Sequence, residues 1–145
     1  MTDQQKTMKQ AAWVTISIGL IFAASALPGL HPAVHLFLQI AYWPFYDVPS
    51  DLGVPVPLLV AISGGLMTGL GGMLWALGRY VSPISQEAAA HVTRIAAWSW
   101  FCTDSTMSVF VGAPMNVAIN ASFLALMLLS CRVRGLPDGA SLPAQ

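Results

Sequence analysis

From Pro57 to Tyr80 the chain reads PLLVAISGGLMTGLGGMLWALGRY, with no charge before Arg79. About 20 apolar residues are what a helix needs to cross the hydrocarbon core of a bilayer. Tyr80 suits the membrane–water interface, and Arg79 marks a side that is not translocated. Three more apolar stretches flank this one, giving spans at about 11–30, 57–80, 88–111 and 115–132. The expectation is an all-α protein, an integral membrane bundle of four transmembrane helices. Every basic residue (Lys6, Lys9, Arg79, Arg94, Arg132, Arg134) then falls on one side. Loops rich in Lys and Arg stay in the cytoplasm, so both termini are expected there.

Composition agrees with that class. The chain has 145 residues, of which 56% are hydrophobic and 8% charged. A soluble domain carries about a quarter charged residues, too many more for this chain to solvate a globular surface in the same way. Residues 1–134 are read as one transmembrane domain, with Met1 to Gln10 as a polar lead, and 135–145 as a disordered cytoplasmic tail rich in Gly and Pro. A net charge of zero argues against nucleic acid and leaves the lipid bilayer as the first partner. Cys102 and Cys131 show no metal or redox spacing and read as small apolar fillers. The first stretch is long for a cleaved signal, although Ala23 to Ala26 leave cleavage open. An uncleaved anchor is expected.

The connections have their own signals. Between spans one and two, Tyr42, Trp43, Phe45 and Tyr46 cluster beside prolines, as at an outer interface. Within that loop, Pro32 to Ala41 carries Val34, Phe37, Leu38 and Ala41 at helical spacing and predicts a short interfacial helix. Ser85 is placed to cap span three, with Glu87 in its first turn. Gly112-Ala113-Pro114 makes a tight outer turn, so spans three and four are antiparallel neighbours.

Small residues mark a packing seam on span two. Gly65, Gly69 and Gly72 form a stripe with Ala61 and Ala76, while Gly64, Thr68 and Gly71 lie beside it. Such spacing lets backbones approach closely in lipid. Thr15, Gly19, Ala23 and Ala26 offer a partner stripe on span one. Packing within one subunit is the expected use; a homodimer face or a crevice for a lipid tail are the alternatives.

Asp104 is the sharpest chemical signal. A carboxyl at membrane depth is costly unless it holds a proton, finds a partner or faces water. Counted from the Gly112–Pro114 turn, Asp104 lies roughly 13 Å deep and Asn120 roughly 9 Å. Asn116 and Asn120 share one face of span four, and Ser105 and Ser108 lie near Asp104. These five residues predict an intramembrane polar cluster, with amides donating and hydroxyls filling the remaining sites. It is either a clasp between helices or a proton-carrying or ligand-binding acid.

His31 and His35 have the i, i+4 spacing that can place two imidazoles on one metal, with Asp47 and Asp51 in the same loop. They are weak metal candidates, since interfacial histidines serve more often as polar anchors. No catalytic fingerprint for a hydrolase, protease or nucleotide-binding enzyme occurs. No catalytic residue or cofactor is therefore assigned.

The pattern Trp100-Phe101, Asp104-Ser105, Ser108, Gly112-Ala113-Pro114, Asn116, Asn120 resembles a group of small four-span inner-membrane proteins of bacteria. Ile62-Ser63-Gly64-Gly65-Leu66 and Gly72-Met73-Leu74-Trp75 are similar as well. The resemblance covers about the second half of the chain and implies the bacterial inner membrane, but no substrate. The function expected is a non-catalytic subunit or assembly factor of a larger membrane complex, associating with other subunits or with itself. Alternatives are a proton-coupled or lipid-binding transport protein using Asp104, and a membrane enzyme acting on a lipid.

Overall fold

The computed structural model describes residues 1–27, 29–53 and 55–132. Among them are five α-helices and no strand: α1 (Asp3–Ala24), α2 (Pro32–Tyr42), α3 (Pro55–Ala76), α4 (Gln86–Phe110) and α5 (Pro114–Ser130). A single π-helical turn, Leu77–Val81, continues α3. The expected tail, 135–145, and Arg134 lie outside the described residues.

Local chemistry sets the boundaries. Thr2 caps α1 by accepting from the Gln5 amide, while the Gln5 side chain accepts from the Thr2 amide at 2.7 Å. This reciprocal capping box starts the helix at Asp3. Met1 to Gln10 is therefore not a separate polar lead, and α1 ends at Ala24 rather than continuing to Leu30. Prolines open α2, α3 and α5, where a missing N–H costs nothing. Ser85 accepts from the Ala88 amide at 3.0 Å and caps α4, with Glu87 in the first turn. Gly112, at a φ of 79°, makes the turn between α4 and α5 in a conformation that side chains disfavour.

Two helices, Asp3–Ala24 and Pro55–Val81, are long and apolar enough to cross a membrane. The other two candidates differ for identifiable reasons. α4 carries Gln86, Glu87, His91, Thr93 and Arg94 in its first third, then Thr103, Asp104 and Ser105. α5 has 17 residues, about 25 Å of helix. Helix length and composition thus give two candidate spans, not four.

α1 and α3 pack most closely, α4 pairs with α5, and α5 lies against α1. The short α2 rests on α5 and on the end of α1, where Phe37 meets Phe22 edge-on at 4.9 Å between ring centroids. The α1–α3 contact runs through small residues. A Cβ on Gly64 would fall on the Ala23 backbone nitrogen, and one on Gly19 would lie 2.6 Å from the Thr68 nitrogen. A Cβ on Gly71 would lie 2.7 Å from Ile16. The expected seam through Gly65, Gly69 and Gly72 is corrected here: a Cβ on any of the three meets nothing within 4 Å. Adjacent positions on a helix are turned by about 100°, so the seam shifts to Gly64, Thr68 and Gly71, and the neighbouring stripe faces outward.

What is buried is mostly small. Ala11, Ala12, Ala89, Ala90 and Ala97 are fully enclosed with Met8, Thr15 and Ser82. Trp13, Leu20, Ile21, Leu58, Leu59, Leu66, Ile95 and Phe110 point outward. The inside holds mostly small and polar groups with Met8, Leu74, Leu124 and Met127 among them, and most of the large apolar residues lie outside.

Candidate functional site

Asp104 sits six residues before the end of α4 and Asn120 six residues into α5. In an antiparallel pair this puts both about 9 Å from the turn along their axes. The amide of Asn116 donates to Asp104 Oδ2 at 3.3 Å and to Ser108 Oγ at 2.8 Å. Asn120 donates to the same Oδ2 through a short hydrogen bond and to Ser105 Oγ at 3.2 Å. Each amide thus commits both of its hydrogens to α4. The Ser108 hydroxyl, which accepts from Asn116, donates back to the Asp104 carbonyl at 2.7 Å. Asn120, Ser105 and Ser108 are buried, while Asp104 and Asn116 are half-buried. The structure brings all five expected residues together.

Such an arrangement fixes the register of α4 against α5. Aromatic rings flank it, with Trp100 edge-on to Phe123 and to one side Phe101 against Trp98. Chemically, two converging amides hold one carboxyl oxygen as an acceptor. The Asp104→Asn variant keeps an oxygen there and should retain stability to within about 1 kcal/mol. Asp104→Leu strands one N–H of each asparagine and should cost about 1–3 kcal/mol, read from thermal unfolding in detergent.

The histidines are placed differently from a two-imidazole metal site. His31 Nδ1 lies 2.9 Å from the Ser25 carbonyl oxygen, and His35 Nε2 lies 3.1 Å from that of Pro49. A carbonyl only accepts, so each ring donates there and anchors α2 to the chain on either side. With Ser50 and Asp51 they line a cavity of about 150 Å³ between α2 and the start of α3. Asp51 accepts from the Gly53 amide at 2.9 Å, and Asp47 is exposed outside that lining. Among the described residues, no group of three or more His, Cys, Asp or Glu is set to hold a metal ion. Gly65, Gly69 and Gly72 lie on the outward face of α3, away from both clusters.

A second polar cluster was not visible in the residue pattern. Gln4 is 3% exposed, and its side chain joins three segments. It donates to the Gln86 carbonyl at 2.9 Å and the Cys131 carbonyl at 3.3 Å, and accepts from Ser82 at 2.6 Å. Thr7 adds a donation to the Ser130 carbonyl at 2.8 Å. These bonds bring the start of α1, the α3–α4 connection and the end of α5 to one end of the bundle. Lys6, Lys9, Arg79 and Arg132 belong to the segments that meet there.

No protein-family model, curated protein or solved structure matches this chain. The functional reading therefore stands on the chain's own residues.

Proposed function

We propose that the protein is a four-span bacterial inner-membrane protein, both termini cytoplasmic, serving as a non-catalytic subunit or assembly factor of a larger membrane complex. The distribution of side-chain size carries this reading. Lipid is as apolar as leucine, so membrane helices associate through small residues and polar contacts while their large apolar residues face outward. Small residues inside, with large apolar ones such as Trp13, Leu66 and Trp98 outside, fit that rule on α1, α3 and α4, whereas α5 joins through Asn120 and Ser130 but also encloses Leu124 and Met127. In water the same surface would be one large association-prone patch.

The outward stripe of Ala61, Gly65, Gly69, Gly72 and Ala76 supports the subunit reading. It is a flat face of the kind that receives another helix, and among the described residues nothing lies within 4 Å of a Cβ placed on its glycines. The half-buried Asp104 favours, as a second reading, a proton-coupled or lipid-binding transport protein. Flux lost in a fully stable Asp104→Asn protein that still assembles with the same partners would select that alternative, because an amide does not titrate.

Topology gives the direct test. Single cysteines at Ser50 and at the 87% exposed Ile84 should label from opposite faces in a background without Cys102 and Cys131. An impermeant maleimide added outside should reach position 50 and spare position 84. Labelling of both from one side would sink the four-span arrangement. A stable heteromer in mild detergent is the expected state, and a chain found only alone would remove the subunit reading.

A further inference from the structure

The Asp104 cluster is satisfied on one side only. Both amides converge on Oδ2, and Oδ1 takes no hydrogen bond from the described residues. Every enclosed side-chain nitrogen and oxygen among those residues has a partner. Oδ1 is therefore not enclosed, and it opens to the outside of the bundle beside a half-buried residue. The surface next to it is apolar: Met107, three positions along the same face of α4, is 54% exposed, and Val111, which caps the end of that helix, is 62% exposed.

None of the described lysines or arginines lies at that level. Arg94, the nearest basic residue along α4, is ten positions away, about 15 Å along the axis. The remaining described cations lie on segments gathered at the Gln4 end. A second copy in the same membrane orientation would bring its own cations to that same end. A carboxylate open to lipid is unfavourable, and carboxylates at membrane depth pair with a cation or face water.

Resting on the subunit reading above, we propose that Asp104 Oδ1 is the docking point for a transmembrane helix of a different protein, one carrying a lysine or arginine at matching depth. Asn116 and Asn120 hold the carboxyl by Oδ2, which leaves Oδ1 aimed at the incoming helix. Arginine or lysine then pairs with it in a medium where a charge-assisted bond is strong. Met107 and Val111 supply the apolar contact on the side toward the Gly112 turn.

A photoreactive phenylalanine analogue in place of Met107, irradiated in native membranes, tests this. The expected product is a covalent heteromer whose cross-linked peptide is an apolar helix with Lys or Arg within one turn of the attachment. Asp104→Asn should lower its yield at least tenfold while the detergent melting temperature of the isolated chain holds. Asp104→Lys combined with the partner's basic residue changed to Asp should restore it. A cross-linked helix without a basic residue, or an unchanged yield in Asp104→Asn, overturns the inference while leaving the subunit reading intact. Cross-links only to lipid or to a second copy, with a heteromer still isolated in mild detergent, also overturn the inference alone. Absence of any heteromer overturns both.

Discussion

Gly64→Leu is expected to force α1 away from α3 and to lower stability by about 3 kcal/mol or more, the upper part of the range for overpacked sites. The added Cβ alone meets the Ala23 backbone nitrogen and lies 2.6 Å from the Gly19 carbonyl oxygen. Both obstacles are main chain, which cannot rotate aside as a flexible side chain can. Gly71→Leu should behave similarly, tempered because its first obstacle is the Ile16 side chain. Gly69→Leu is the contrasting variant, and its isolated chain should melt within about 0.5 kcal/mol of wild type. Thermal unfolding followed by circular dichroism in one detergent would compare all three. Equal losses at Gly64 and Gly69 would contradict the assigned seam. The outward stripe would then have to be part of the fold.

The second large effect is expected at Gln4. Changing Gln4 to Leu keeps approximate size but removes one acceptor and both donors. The Ser82 hydroxyl and the Gln86 and Cys131 carbonyls lose their bonds to it. At about 1–3 kcal/mol for each buried group left unpaired, and with water able to rescue some, a loss of about 3 kcal/mol is expected. Gln5→Ala, which removes only half of the capping box, should cost about 1 kcal/mol or less. A protease-sensitivity assay at the α3–α4 connection would report the same ranking. If the two variants were equally mild, Gln4 would be a surface residue in solution and the clasp wrong.

The contrast between these sites shows what residue spacing can and cannot convey. The Asp104 cluster is readable because a short turn fixes α4 and α5 as antiparallel neighbours, so counting outward from the Gly112–Pro114 turn brings Asp104 and Asn120 to similar depth. The helix over Pro32–Tyr42 was readable from its apolar periodicity and its leading proline. For α3 the spacing was ambiguous in a specific way. Gly65, Gly69 and Gly72 repeat as regularly as Gly64, Thr68 and Gly71, and which stripe meets α1 depends on where α1 lies. The close approach of Gly19 settles it in the structure.

Gln4 was missed for another reason. Two of its three partners are backbone carbonyls, which every residue has and which leave no trace in composition. A signal did exist beside it, since Thr2 and Gln5 have capping-box spacing and place the helix start at Asp3. A helix beginning there carries Gln4 and Met8 on one face of its first turns, pointing inward with Ala11 and Ala12. Taking those ten residues as a polar lead hid that face. The proposed third span is hard to read for a related reason: Asp104, Ser105 and Ser108 serve the contact of α4 with α5 and, with Gln86, Glu87, His91 and Arg94, lower its apolar content.

The Gln4 clasp also bears on the order in which the bundle is made. Gln4 precedes Cys131, whose carbonyl it holds, by 127 positions. A ribosome adding about 5–20 residues per second exposes α1 well before α5 exists, so the glutamine waits several seconds with one of its partners unmade. The glycine contact between α1 and α3 forms in the meantime and keeps the early helices together. The latch can close only on a chain extended through Cys131. A product stalled before α5 would be left with Gln4 and Thr7 short of the Cys131 and Ser130 carbonyls at one end, a difference that a protease could read.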